Sequence, residues 1–188
     1  IKILDEITDG ISSKVRNQYE SNPYPRWINL GVGLGAASIE EVADQSRLKL
    51  TINAIKQVNA PNILIAGCGT GQHSIGTASR FKNSNVLAVD LSLASLAYAK
   101  RKTKELGIKN IEYMQADILN LCKLNRKFDI IESVGVLHHM EDPMVGWKVL
   151  TDSLKVGGLM RIGLYSDLAR KPVADVRKNI AASNLPIS

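Results

Sequence analysis

The chain has 188 residues, a net charge of +6 at neutral pH, 45% hydrophobic and 22% charged residues. These values describe one globular domain with a sizeable core and exclude a disordered chain. No apolar run approaches the roughly 18 residues of a spanning helix and no signal-peptide pattern occurs, so a cytoplasmic protein without a membrane partner is the expectation.

Cys68 and Cys122 are too few for a disulfide framework, and both read as reduced. Part of the positive charge sits at Lys100, Arg101, Lys102 and Lys104, where it continues an apolar-periodic helix and reads as a solvated face. With aromatics at only 5%, little material is left for stacking bases, and a nucleic-acid partner is not expected.

Taken in order, Ile3, Leu4, Ile7, Ile11 and Val15 have helical spacing, which predicts a helix over 1–20. Asn22-Pro23-Tyr24-Pro25-Arg26-Trp27 breaks it, because two prolines enforce an extended segment, and Gly31, Gly33 and Gly35 follow in a loop. Residues 38–58 read as one helix, with Ser38 and Glu41 at capping-box spacing, up to Pro61. Residues 1–60 thus form an expected helical extension, and 61–188 the expected core.

From Asn62 short apolar runs alternate with helices. Strands are predicted at 63–66, 86–89, 111–116, 128–133 and 159–165, and helices at 72–82, 92–106 and 143–154, with one more helix and a tail over 166–188. Such alternation predicts an α/β fold with a doubly wound parallel sheet, covered on both faces. Ligands in that architecture bind beyond the carboxyl ends of the strands.

Three strand ends carry the chemistry. Gly67-Cys68-Gly69-Thr70-Gly71 follows the first strand of this series and opens a helix, where glycines allow a tight turn and free amides attract an anion. A dinucleotide loop would place its third glycine where Gln72 stands, so the loop departs from that pattern. Asp90 ends the next strand, ~20 residues on, where an acid accepts hydrogen bonds from ribose hydroxyls. Asp117 ends the third and could accept from an exocyclic amine. A solvated turn carboxylate is the competing reading of both acids.

The series Ile63–Gly71, Asp90, Ala116-Asp117, Phe128–Ser133 and Leu154–Leu159 resembles the class I S-adenosylmethionine-dependent methyltransferase family over roughly 60–165. The resemblance implies a Rossmann-like core with S-adenosyl-L-methionine as cofactor. It implies that Gly67, Cys68, Gly69, Thr70, Gly71 and Gln72 hold its methionine part, that Asp90 and Leu91 meet the ribose, and that Ala116, Asp117 and Ile118 meet the adenine. It also implies that Ser133 and Val134 face the cofactor.

Two departures stand out. Ile65 replaces the acidic residue many relatives carry two positions before the first glycine. Too little chain follows Tyr165 for the family's closing antiparallel strands, so a sheet without them is expected. Together with Ile1 in place of a methionine, this raises the expectation of a fragment, a processed chain or an engineered piece, with a homodimer or a missing flanking domain as candidate partners.

The segment Tyr19–Trp27 is similar to one that precedes bacterial methyltransferase domains joined to tetratricopeptide repeats. It reads either as a lid or as a packing staple. His138 and His139 read as a loop pair near the cofactor in preference to a general base. No zinc-spaced ligand cluster and no G-x-S-x-G elbow occurs.

The resemblance implies an enzyme that transfers a methyl group to a small-molecule or protein acceptor. Glu132-Ser133-Val134-Gly135 lacks the Asn/Asp-Pro-Pro-aromatic pattern of amino-methylating DNA enzymes. Two alternatives remain at this point: a non-catalytic module or inactive fragment that binds the cofactor, and a nicotinamide-dependent oxidoreductase, which the loop spacing disfavours.

Overall fold

A computed structural model describes residues 1–31, 35–166 and 168–182; Gly33 and the tail after 182 lie outside the described residues. The elements in chain order are β1 (Lys2–Ile3), α1 (Gly10–Ser21), α2 (Ile39–Gln45), α3 (Asn53–Lys56), β2 (Asn62–Ala66), α4 (Gln72–Arg80), β3 (Asn85–Asp90), α5 (Leu93–Glu105) and β4 (Ile111–Gln115), then β5 (Phe128–Val134), α6 (Pro143–Ser153), β6 (Leu154–Gly163) and α7 (Lys171–Ala182). Short 3₁₀ turns follow β4 and β5, at Ile118–Leu124 and Leu137–His139.

The six strands form one parallel sheet in the order β1-β4-β3-β2-β5-β6. Outward from β2 the chain builds first through β3 and β4, then returns to add β5 and β6. The order therefore reverses between β2 and β5, and a crevice opens at the carboxyl ends of those strands. Among the described residues no antiparallel strand closes the sheet, as the sequence leads one to expect.

Alternation along β2 feeds two cores. Ile63 and Ile65 pack with Ile39, Val42, Ile55 and Phe81 on one face. Leu64 and Ala66 pack with Leu121, Leu137 and Leu150 on the other. Burying one such aliphatic side chain contributes about 1.5–3 kcal/mol, so a central strand apolar on both faces anchors the whole sheet.

The N-terminal region differs from expectation in two ways. Ile3 and Leu4 do not begin a helix: β1 pairs with β4 through Lys2↔Met114 and Ile3↔Gln115, and Leu4 N donates to Gln115 O. Satisfying the open edge of β4 outweighs the helical spacing, and α1 begins only at Gly10, capped by the Asp9 carboxylate on Ser12 N. The helix expected over 38–58 splits into α2 and α3. Ser38 and Glu41 do form a capping box. The chain then leaves the helix through Arg47 at φ 56°, with Leu48 N bonded back to Ala43 O in a Schellman-type end. Residues 1–60 therefore supply a strand to the sheet and Ile39, Val42 and Ile55 to the core, with no break in packing at 60.

No helix among the described residues is long and apolar enough to cross a membrane.

Candidate active site

A cleft of about 520 Å³ opens at the carboxyl ends of β2, β3, β4 and β5. Gly67, Cys68, Gly69, Thr70, Gln72, Asp90, Leu91, Ala116, Asp117, Ile118 and Val134 line it, so most of the expected site residues come together. Gly71 and Ser133 do not line it.

The glycine loop is shaped by conformation and by close packing. Gly67 has φ 79°, and a Cβ there would lie 2.3 Å from a Val136 methyl. Gly71 has φ 89°, and its Cβ would lie 2.6 Å from Ala99 Cβ, so this glycine lets α4 approach α5. Cys68 is buried, and burial pushes its thiol well above the ordinary range, which suits packing and not nucleophilic attack.

Asp90 joins loop to strand. Its Oδ2 accepts from Gly69 N at 2.7 Å and its Oδ1 from Ser92 N at 3.0 Å. A carboxylate has about four acceptor sites, so lone pairs remain toward the cleft. Burial raises the carboxyl's pKa above its usual value, against the lowering effect of those amides. Asp117 is buried as well, and its Oδ1 caps the following 3₁₀ turn through Leu119 N at 3.0 Å. Its other oxygen has no partner among the described residues, and Asp117 faces the same cleft.

Ile65 is fully buried in the core on one sheet face and offers the cleft no polar atom. The first turn of α4 instead presents His73, whose Nε2 lies 2.8 Å from Glu132 Oε2. Glu132, on β5, also accepts from Thr77 Oγ1 and from Arg80 NH2 at 2.8 Å. These donors outweigh the cost of burial and bring the carboxyl down to about 2. The pairing escapes sequence reading because its partners lie 59 residues apart.

The segment after α1 ties itself to the glycine loop. Thr70 Oγ1 donates to Pro25 O at 2.6 Å, and Trp27 Nε1 donates to Thr70 O at 3.1 Å. Tyr98 OH donates to Trp27 O, and the Tyr24–Pro25 peptide is cis. Glu20 accepts from Ser92 Oγ at 2.9 Å and from Ala94 N, which fixes the end of α1 to the start of α5. Trp27 is thus a buried staple, whereas Tyr24 is 71% exposed on the cleft wall. Tyr19 lines the cleft too, and Asp9, Ile11 and Val15 add a wall that sequence reading missed, because nothing local places α1 over the strand ends.

Sequence reading missed Ser95 and placed His138 and His139 as a loop pair near the cofactor. Ser95 is 1% exposed, lines the cleft, and its hydroxyl has no hydrogen-bond partner. His138 stacks on Tyr165 at 3.7 Å and lies 4.4 Å from His139, with both of its ring nitrogens buried and unpartnered. His139 and Tyr165 line the cleft. Among the described residues no group of histidine, cysteine and acid side chains could hold a metal.

A doubly wound sheet, a glycine loop at its switch point and acids on the next two strand ends define a nucleoside-binding α/β domain. A family model described as a methyltransferase domain matches residues 63–158. The chain belongs to the class I S-adenosylmethionine-dependent methyltransferase family.

An uncharacterised protein of Synechococcus is 34% identical over 126 residues, covering 66% of this chain and 30% of that protein. The (S)-coclaurine N-methyltransferase of Papaver somniferum is 27% identical, covering 63% of this chain and 33% of the enzyme. An S-adenosylmethionine-dependent methyltransferase of Clostridium acetobutylicum superposes with a TM-score of 0.51 at 26% identity, over 65% of this chain and 55% of that one. The chain spans about a third of the length of these two curated relatives.

Proposed function

We propose that this chain binds S-adenosyl-L-methionine in the cleft and carries the methyl-transfer reaction of its family. The observation that carries this reading is the placement of Asp90: it braces Gly69 N and Ser92 N while keeping acceptor capacity toward the cleft.

The residues fit the group. Asp90 would accept from the ribose hydroxyls, and Asp117 from the adenine amine. Leu91, Ala116, Ile118 and Val134 would supply apolar surface beside the base. Ser95, an orphaned buried hydroxyl, would complete a hydrogen bond that the protein alone leaves unmade. At the amino-acid end Ile65 contributes nothing polar, and Gln72 and His73 line the wall in its place.

When bound, the sulfonium cofactor supplies an electrophilic methyl group. This chain's own part is to position the acceptor and exclude water, which needs no protein nucleophile. The N-terminal segment serves the second task by covering the strand ends from Asp9 to Trp27.

Isothermal titration with S-adenosylhomocysteine and with NADH, followed by transfer of a labelled methyl group from S-adenosylmethionine to a panel of acceptors, tests the proposal. Binding of the first ligand with methyl incorporation is expected. Binding of NADH alone overturns it.

A further inference from the structure

Ile65 of β2 stands where many relatives carry an acid, and its partner in the parallel pairing with β5 is Glu132. Register partners in a parallel pair project from the same face, so Glu132 lies one strand spacing, about 4.8 Å, from the place an acid at 65 would take. Glu132 does not itself line the cleft, and its side chain is 4% exposed. His73, in the first turn of α4, does line the cleft, with its side chain 25% exposed and Nε2 2.8 Å from Glu132 Oε2. Thr77 and Arg80, the other partners of that carboxylate, are not on the cleft wall. The acid therefore reaches the cleft through the imidazole.

The hydrogen bond also sets the chemistry of the ring. Glu132 is ionised, its carboxyl held at about 2. An ionised carboxylate only accepts, so the hydrogen of this bond sits on Nε2. Arg80 already pairs with Glu132 at 2.8 Å, so the pair needs no second cation at His73. In the neutral ring Nδ1 is then an acceptor, and it has no partner among the described residues. Gln72 lines the same wall, yet no hydrogen bond fixes its side chain among the described residues, and holding it on a ligand costs rotamer freedom that His73 has already given up. The first turn of α4 carries no acid of its own.

We propose that Glu132, acting through His73, replaces the acid absent from position 65: Nε2–H donates to the carboxylate, and Nδ1 accepts from the ammonium of the cofactor's amino-acid end. This rests on the placing of S-adenosyl-L-methionine in the cleft. His73 touches the ligand. Glu132 is a positioning residue that fixes the tautomer and, by polarising the ring, strengthens Nδ1 as an acceptor. The contact reads the amino group and is blind to the carboxylate beside it.

Titration calorimetry on the full chain tests this with ligands that share one adenosine: S-adenosylhomocysteine, its analogue without the amino group, its analogue without the carboxylate, and 5′-methylthioadenosine, which lacks both. His73→Gln keeps a donor for Glu132 near the place of Nε2 and removes the acceptor at Nδ1. It should weaken the two amine-bearing ligands at least about tenfold and leave the other two within about twofold. His73→Asn, whose amide oxygen stands near the place of Nδ1, should recover most of that loss. Equal losses for all the ligands in His73→Gln would make the residue merely structural. A loss confined to the two carboxylate-bearing ligands would reverse the group recognised, and unchanged affinities would remove His73 from the site; each of these overturns the inference. If neither S-adenosylhomocysteine nor 5′-methylthioadenosine binds wild type, the placing of the cofactor fails, and this inference with it. If both bind and the amine pattern alone is missing, only this inference falls.

Discussion

Two carboxylates, half-buried Asp90 at the end of β3 and buried Glu132 on β5, have opposite fates. Glu132 is surrounded by His73, Thr77 and Arg80, and its carboxyl is held down at about 2. Asp90 has two backbone amides and spare lone pairs, and burial raises its carboxyl above the ordinary value. A carboxylate whose partners are all in the protein holds a helix to a sheet. One left under-satisfied at a cleft is held ready for a ligand.

The comparison can be broken first at Glu132. Glu132→Ala removes the charged acceptor shared by His73, Thr77 and Arg80 and should cost about 2–4 kcal/mol of unfolding free energy by urea denaturation. A loss under ~1 kcal/mol would remove the structural role assigned to this residue.

Acid titration gives the same contrast without mutation. The folded carboxyl of Glu132 lies below its unfolded value of 4.5, so its contribution of about 3 kcal/mol is present above that value and lost as pH falls from about 4.5 to about 2. Asp90 has the opposite sign, since its raised folded pKa means protonation relieves a cost. Wild type should therefore lose stability across this window, and Glu132→Gln should lose less.

At Asp90 the expected order of effects reverses. Asp90→Asn should weaken S-adenosylhomocysteine binding about 100-fold, equivalent to ~2.7 kcal/mol, by calorimetry. The amide can accept from only one of Gly69 N and Ser92 N, so the ligand-free protein should lose about 1–2 kcal/mol, less than the loss in binding.

Smaller effects sharpen the picture of the wall. Trp27→Phe removes the hydrogen bond to Thr70 O and should cost about 1 kcal/mol, together with faster proteolysis near residues 22–30. Ser95→Ala should raise the dissociation constant several-fold, on the order of 1 kcal/mol, while leaving the urea midpoint unchanged.

What sequence reading captured is local in the chain. The glycine loop, Asp90 and Asp117 are legible because strand ends in a parallel sheet are marked by apolar runs that stop. Ser38 is legible as a cap because its hydrogen bond spans only three residues. What it missed is long-range. The two-residue strand β1 is too short to carry a period, and its pairing depends on the free edge of β4. The break in 38–58 arises where Arg47 adopts a left-handed conformation, which no glycine announces. The hold of Pro25 and Trp27 on Thr70 joins residues 43 to 45 positions apart.

The central claim, that the cleft binds S-adenosyl-L-methionine through Asp90, is tested most directly by titrating S-adenosylhomocysteine into wild type and Asp90→Asn under one condition, with the thermal midpoint of each recorded. Saturable binding to wild type, about 100-fold weaker in a variant that still unfolds in one cooperative transition well above the titration temperature, is the predicted result. Equal affinity in the two proteins, or no binding to wild type, would contradict it.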